Sequence, residues 1–370
     1  MKSKILPYSI KQLKIENFRG VKKTGFENIP IDTKWIFLTG ENGFGKTTIL
    51  QALVLGLFGK IDENKILTTE DCKIGVNFKN KNINQINNLG DSEFIFFKNF
   101  VAYGSSRLNI QYYQTATEKI IPRTYSIFNT DGYLFNIEET LKRYAFRDKF
   151  KEKFEKLKMT LCELMPNIVD IEVKEQNSED IVLYIEKDLE GNSYKGIEFE
   201  KLASGYKSII AMFGDMIVRL SKIQDIANPK DLEGIVIIDE LDLHFHPNWQ
   251  RKLPQLLSDN FPKIQFIAST HSVIPFLGAL KNSVFLKVTR NEEEGIKLHK
   301  LDIDISNLLP NTILTSPIFD FEGLIPNSNK KIENIRTEDD YKKLLENNEI
   351  QKRLNEFEQS NVDFPDELFE

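Results

Sequence analysis

Apolar and polar positions alternate with a period of two near the start of the chain, where Leu13 and Ile15 are interleaved with Lys14 and Glu16. This predicts a half-buried strand over residues 9–18. A second strand over residues 34–39 runs into a glycine-rich turn, and the apolar run of residues 47–58 (TTILQALVLGLF) reads as a buried helix. Short strands are expected at residues 73–78, 94–103 and 108–113, with an exposed, mobile Asn-rich loop over residues 80–88. Between residues 138 and 165 the period changes, because Phe146, Phe150, Phe154, Leu157, Leu161 and Leu164 recur at spacings of three and four. The spacing predicts one helix of about 40 Å, stopped by Pro166, with these side chains packed in a core or a helix hairpin. Strands at residues 168–173, 181–186 and 194–199 precede a helix over residues 204–223. An apolar strand at residues 234–238, a helix opened by Pro247 and a buried strand at residues 264–268 restore strand–helix alternation, the pattern of an α/β fold with a parallel sheet. No internal repeat is evident.

Length and composition bound this frame without changing it. The 370 residues fit two to three structural units, or one large α/β domain with insertions, and 41% hydrophobic with 28% charged residues is globular composition. The net charge of −6 is local: residues 331–370 carry 6 basic and 12 acidic side chains, so the remainder is balanced. Nucleic-acid contact by the main body is therefore left open. Cys72 and Cys162 are too few and too separated for a disulfide framework or a zinc site, and are expected as buried thiols in a reducing compartment. With no apolar run of 18 residues and no signal-like start, the expected location is cytoplasmic, without a membrane partner.

The chemistry is concentrated in three places. Gly40-Glu41-Asn42-Gly43-Phe44-Gly45-Lys46-Thr47 fits G-x-x-x-x-G-K-[ST] between a strand and a helix. In that setting Gly40, Asn42, Gly43, Gly45 and Thr48 belong to a loop whose backbone N–H groups curl round phosphates. Lys46 reaches the β/γ-phosphates, and Thr47 offers a hydroxyl to Mg2+. The apolar strand Ile235–Ile238 ends in Asp239 and Glu240, and in a parallel sheet the carboxyl end of a strand is where ligands sit. Asp239 is suited to hold Mg2+ and Glu240 to polarise an attacking water, so hydrolysis of ATP is expected as well as binding. Ser204 and Gly205 open a helix, which presents N–H groups and a hydroxyl to an anion. His244 and His246 form an H-x-H pair without further His or Cys nearby, and are read as orienting the loop after Glu240. The outer face of the 138–165 segment carries Lys142, Arg143, Arg147, Lys149, Lys151, Lys153, Lys156 and Lys158. It reads equally as a solvated face or as a track for a phosphate backbone.

The order of the P-loop, Leu202-Ala203-Ser204-Gly205, Asp239-Glu240-Leu241-Asp242-Leu243-His244-Phe245-His246-Pro247 and Ser269-Thr270-His271-Ser272 resembles that of ABC-type ATPases. The opening Leu13-Lys14-Ile15-Glu16-Asn17-Phe18-Arg19-Gly20 and the form of the acidic motif are similar to the RecF/SMC/OLD-like branch. The resemblance covers residues 9–320. It implies a P-loop ABC-type ATPase head with a mixed sheet, an antiparallel β-subdomain and a helical insertion. The segments would be an N-terminal lobe at 1–137, the insertion at 138–200, a C-terminal lobe at 201–325 and an acidic tail at 326–370. It further implies two protomers sandwiching ATP, with Lys46, Thr47, Asp239, Glu240 and His271 from one and Ser204 and Gly205 from the other. His271 would sense the γ-phosphate, and Asp242 would signal across the dimer. The glutamine that transporters carry after the third strand has no obvious counterpart, and Arg107 is either near the nucleotide or a structural arginine.

Among smaller relatives the chain is similar to ATPase subunits of Septu-type antiphage defence systems, in Val101–Arg107 and Leu314–Phe319. That likeness implies a homodimer or higher homo-oligomer working beside a separate HNH nuclease, with no nuclease activity in this chain. Tyr341, Leu344, Leu345, Ile350, Leu354 and Phe357 make the tail an acidic amphipathic helix suited to docking such a partner or folding back. A RecF-like ATPase that clamps DNA is the alternative. A transport ATPase is disfavoured by motif form.

Overall fold

In a computed structural model, which describes residues 5–59, 71–105, 123–129, 134–165, 167–176, 178–187, 194, 196–303, 305, 308–319 and 341–359, the alternating opening becomes β1 (Tyr8–Phe18). It pairs antiparallel with β2 (Val21–Phe26) through the two-residue turn Arg19-Gly20, both at positive φ, the mirror-image turn that suits strand twist. The fully buried β3 (Trp35–Thr39) leads through the glycine turn into α1 (Lys46–Phe58). Next come β4 (Lys73–Asn80), β5 (Ile83–Asn88), β6 (Phe100–Tyr103), the single turn α2 (Tyr125–Phe128), α3 (Ile137–Ala145) and α4 (Lys151–Leu164). A separate two-stranded sheet pairs β7 (Ile168–Gln176) with β8 (Glu179–Glu186). Then follow α5 (Ser204–Gln224), β9 (Glu233–Ile238), α6 (Pro247–Asn260), β10 (Lys263–Ser269), β11 (Val284–Asn291) and β12 (Gly295–Leu301).

One mixed sheet of ten strands runs β5-β4-β1-β2-β12-β11-β3-β10-β9-β6. From β11 to β6 every pairing is parallel, whereas from β5 to β11 every pairing is antiparallel. The antiparallel subdomain is thus an extension of the parallel half of the sheet. Alternation along β3 divides the core into two layers. Ile36 and Leu38 join α1 residues such as Ile49, Leu53 and Leu57 on one face. On the other, Trp35 stacks on Phe266 (4.7 Å between centroids) and donates to Ser258 Oγ of α6 at 2.9 Å. α1 approaches β4 closely enough that a Cβ at Gly56 would lie 2.2 Å from a Val76 methyl, so only glycine fits there.

Four expectations change. The Asn-rich segment is strand β5, not a mobile loop: its inward Gln85 and Asn87 are buried because Gln85 Nε2 donates to Asn87 Oδ1 (3.0 Å) and Asn87 Nδ2 to the Ile95 carbonyl (2.8 Å). The long helix breaks at Phe146–Arg147 into α3 and α4, which pack against each other, with Tyr144 and Phe150 in contact across the break at 4.9 Å. The periodicity survived the break because Leu141 of α3 and Leu157 and Leu161 of α4 are all buried, while Phe146 is left exposed. Among the described residues of 194–199 no strand forms: Ile197 makes an isolated bridge to Tyr184, the Tyr194 amide donates to the Glu186 carbonyl at 2.8 Å, and a 3-10 turn starts at Phe199. Both cysteines are free and half-buried, and burial raises the Cys162 thiol to about 11. The expected strand at 108–113 and Arg107 lie outside the described residues.

The chain separates into two units, Met1–Ile303 and Asp304–Glu370. The second contains α7 (Pro310–Thr315) and α8 (Tyr341–Gln359). Within α8, Lys342, Lys343, Lys352 and Arg353 balance Glu346, Glu349, Glu356 and Glu358, so the helix itself is neutral and the tail's acid lies outside it. Leu345, Ile350 and Leu354 are exposed.

Candidate functional site

The carboxyl ends of β3, β9 and β10 converge, because the three strands are parallel neighbours. Each then delivers its motif to one place. After β3 the chain turns through Gly40, Gly43 and Gly45, all at positive φ, and enters α1 directly. At Gly45 (φ +98°) a Cβ would stand 2.5 Å from Ile296 Cδ1 of β12, so the loop is both left-handed and tightly backed. Lys46, 5% exposed, folds back over the loop, donating to the carbonyls of Gly40 (2.8 Å) and Glu41 (3.1 Å). Burial lowers the pKa of its ammonium, opposed by the nearby Asp239, Glu240 and Asp242.

Thr47 Oγ1 donates to Asp239 Oδ2 at 2.6 Å, joining the P-loop helix to the end of β9. The other Asp239 oxygen accepts from Ser269 Oγ at the end of β10, and the same Ser269 oxygen accepts from the Glu240 amide at 2.7 Å. Glu240 is left-handed (φ 52°), a conformation costing about 1–2 kcal/mol for a residue with a Cβ. It turns the chain sharply at the strand end and is held there by Ser269 and by the Leu241 amide donating to the Ser269 carbonyl at 2.8 Å.

His271 Nδ1 lies 3.2 Å from Lys46 Nζ. Because the ammonium can only donate, Nδ1 is the unprotonated nitrogen of a neutral ring. Partial burial, and then the Lys46 charge, push the imidazole below its ordinary value, which favours that neutral form. Asp242 Oδ1 takes Thr270 Oγ1 at 2.6 Å and the His271 amide at 3.3 Å, so the aspartate fixes the backbone that carries His271.

The sequence-predicted residues Lys46, Thr47, Asp239, Glu240 and His271 are brought together. Asn42 lies on the exposed rim of the loop, and Thr48 is half-buried at the start of α1. Ser204 and Gly205 stand at the N-terminus of α5, Ser204 exposed, with the Gly205 Cβ position 3.9 Å from the His244 carbonyl. His246 accepts from the Asn248 amide and caps α6, which fits a loop-orienting role; His244 sits at φ 68°. Two contributors escaped the sequence reading. Gln250 of α6 donates to the carbonyls of Asp242 and Phe245 and accepts from Ser272 Oγ, tying the acidic loop to the His271 loop. Arg290 of β11 reaches the Gly43 carbonyl at 3.3 Å. For Gln250 the available signal was its place four residues into the helix that follows the acidic motif.

ATP and Mg2+ suit this donor set: the loop has no room for a Cβ at Gly45, a lysine is folded over it, and a hydroxyl and a buried carboxylate sit together at the cation position. The fold and site define a P-loop ATPase of ABC type, with a curled mixed sheet carrying its antiparallel subdomain. The chain belongs to the family described as "AAA domain, putative AbiEii toxin, Type IV TA system", whose profile matches residues 76–275. It is 29% identical over 349 residues to the "Septu protein PtuA" of Bacillus mycoides (strain KBAB4), covering 87% of this chain and 46% of that protein. It is 47% identical over 103 residues to the "Retron Vc95 probable ATPase" of Vibrio cholerae serotype O1 biovar El Tor, covering 28% of this chain and 20% of that protein. The chain therefore spans less than half the length of these curated relatives. Among solved structures, the SMC head domain from Thermotoga maritima overlaps 80% of this chain and 99% of that one, at 14% identity and a TM-score of 0.45.

Proposed function

We propose that the chain binds and hydrolyses ATP with Mg2+ as the ATPase subunit of an antiphage defence complex. In this reading protomers pair or assemble further through an ATP sandwich and thereby regulate a separate HNH-type nuclease. The observation that carries the ATPase reading is the 2.6 Å Thr47–Asp239 contact beside the buried Lys46. Gly40, Asn42, Gly43, Gly45, Lys46, Thr47 and Thr48 form the phosphate cradle, and Thr47 with Asp239 holds the cation, which supplies charge neutralisation at the phosphates when bound. Lys46 exchanges its two loop carbonyls for phosphate oxygens. Glu240, at the turn held by Ser269, takes the proton of the attacking water. His271 stays neutral beside Lys46 and reads the γ-phosphate position. Ser204, exposed at the α5 N-terminus, and the half-buried Gly205 beside it address the nucleotide of the opposite protomer. The lobes at 1–137 and 201–325, the insertion at 138–200 and the tail after 326 belong to the same proposal, as does a cytoplasmic location. Among the described residues no helix is long and apolar enough to cross a membrane.

The defence assignment leans on similarity to the Septu and retron ATPases. Lys46→Ala is expected to abolish nucleotide binding, and Glu240→Gln to bind ATP without turnover; unchanged hydrolysis in the latter removes Glu240 as the water activator. Pull-down of an HNH protein by the full chain tests the partner. Retention of that protein after deletion beyond Asn329 would remove the tail as its docking element. The second reading, a RecF/SMC-like ATPase that binds DNA, is favoured by Arg143, Arg147, Lys149, Lys151 and Lys156 around the α3–α4 break, which have no carboxylate partner among the described residues. By contrast Lys153 and Lys158 pair with Asp225 and Asp170. DNA binding whose affinity falls steeply with salt would support that reading.

A further inference from the structure

Far from the P-loop cluster, α3, α4 and α5 enclose a cavity of about 220 Å³. Arg143 and Tyr144 of α3, Lys153 of α4, Ser221 and Lys222 of α5, and Asp225 just after α5 are among its walls. Asp225 is 95% exposed and its carboxylate is occupied by Lys153 at 3.2 Å. The buried Asp215 nearby is consumed by Tyr103, Arg219 and the Phe135 amide. Arg143 and Lys222 are left with aromatic faces as their partners: Arg143 lies over Tyr144 at 5.4 Å and Lys222 over Phe135 at 4.4 Å. Neither has a carboxylate partner among the described residues.

Arg143 and Lys222 are both exposed where they line this concavity, so water screens them, but together they set a local excess of positive charge that an anion entering the cavity would meet. Burial, and then the positive charges of Arg143 and Arg219, lower the Lys222 ammonium from its usual range, the direction expected of cations crowded together. The hydroxyls of Thr140 and Ser221 add neutral donors to the same walls. Several donors with net positive charge match the multiple acceptor oxygens of a phosphate group better than the two of a carboxylate. The volume falls below the 300–1,000 Å³ usual for drug-sized ligands, so it holds a fragment the size of a sugar phosphate. The Tyr144 ring offers an apolar wall for the sugar.

We propose that the α3–α4–α5 cavity is a binding site for a small phosphate monoester, held by Arg143 and Lys222 with Thr140 and Ser221 as hydroxyl donors. The site is independent of the nucleotide reading of the P-loop. It lies toward the C-terminal end of α5, the helix whose N-terminus carries Ser204 and Gly205, about 25 Å from them along the helix at 1.5 Å per residue.

The test is calorimetric titration of the full chain with ribose 5-phosphate and, separately, with ribose. One ribose 5-phosphate per chain and no detectable binding of ribose are expected. Arg143→Gln and Lys222→Met should each weaken binding roughly tenfold, the worth of a charge-assisted hydrogen bond, while the exposed Lys149→Gln leaves it unchanged. Lys46→Ala should also leave it unchanged; loss in that variant would assign the ligand to the P-loop and overturn the proposal. Equal binding of ribose, no binding at about 10 mM, or affinity insensitive to both Arg143→Gln and Lys222→Met would overturn it as well. Circular dichroism of each variant separates lost binding from lost folding, and Ser221→Asp, which adds a carboxylate to the wall, gives a second test without removing a cation.

Discussion

Asp215 is a fully buried carboxylate with three hydrogen-bond donors, and its removal tests how far the core depends on it. It is fully buried in α5 and accepts from Tyr103 Oη at 2.7 Å, Arg219 Nε at 2.7 Å and the Phe135 amide at 2.8 Å. Arg219 is itself only 8% exposed and lies over the Phe135 ring. Asp215→Ala therefore leaves a buried guanidinium without its carboxylate, a loss of about 3–5 kcal/mol. Tyr103→Phe removes one hydrogen bond and costs about 1–2 kcal/mol. At about 2 °C per kcal/mol for a unit of this size, the expected falls in Tm are roughly 6–10 °C and roughly 2–4 °C. Denaturant unfolding followed by circular dichroism gives the free energies directly. The double variant Asp215→Leu with Arg219→Met should recover most of the loss, because removing both members of a buried ion pair is cheaper than removing its carboxylate alone. An Asp215→Ala protein within about 1 kcal/mol of the parent would refute the reasoning, since it would mean that the hydrogen bonds Asp215 accepts from Tyr103, Arg219 and Phe135 contribute little net stability.

Gly45→Ala should lose nucleotide binding by at least an order of magnitude in a fluorescent-nucleotide titration, because both φ +98° and the Ile296 contact exclude a Cβ; near-normal affinity would show that the loop can shift. Lys46→Met should move the NMR titration of His271 upward toward its ordinary value by removing the adjacent cation, and no movement would refute their contact. Lys34, buried and donating to the Phe261 carbonyl at 2.6 Å, is pushed by burial to about 7. The unfolded chain binds that proton up to about 10.5, so stability should rise with pH between roughly 7 and 10 and lose this slope in Lys34→Met. Glu138, raised by burial to about 7, contributes the opposite slope lower down: stability should fall as pH rises from about 4.5 to 7, and Glu138→Gln should flatten unfolding curves in that window.

The parallel half of the sheet was legible because its strands are buried on both faces, so their sequences are continuous apolar runs that no surface helix imitates. β9 (Ile235-Val236-Ile237-Ile238) and β10 are the clear cases. β5 was illegible for a physical reason: its inward positions are Gln85 and Asn87, polar groups that satisfy one another and the Ile95 carbonyl, while Ile83 and Ile86 face outward. Its hydrophobic alternation is inverted, and a polarity pattern alone reads such a strand as loop. The α3–α4 break was hidden by the opposite effect. Both helices bury leucines against the same core, so the three-and-four spacing runs through a turn that only Arg147, extended at φ −131°, actually makes.

The site was more legible than the fold around it, since the P-loop, Asp239-Glu240 and His271 are each short motifs whose chemistry is local. What the motifs do not encode is how they are held together, and that work falls to residues with no signature. Ser269 is an ordinary serine in sequence, yet its hydroxyl bridges Asp239 and the Glu240 amide, so it sets the angle at which the two acids leave β9. The Tyr103 carbonyl accepts from the Asp239 amide at 2.8 Å while the Tyr103 hydroxyl reaches Asp215 on α5. One residue thus connects, through its backbone and its side chain, the strand that ends in Asp239 to the helix that begins with Ser204 and Gly205. Because Tyr103 and Asp215 are both buried, a shift of Asp239 cannot be absorbed by solvent and must be met by α5 or by strain at the strand end. The Tyr103→Phe variant therefore carries a second expectation beyond its modest loss of stability: the ends of α5 and β9 should exchange amide hydrogens less co-operatively, each opening on its own.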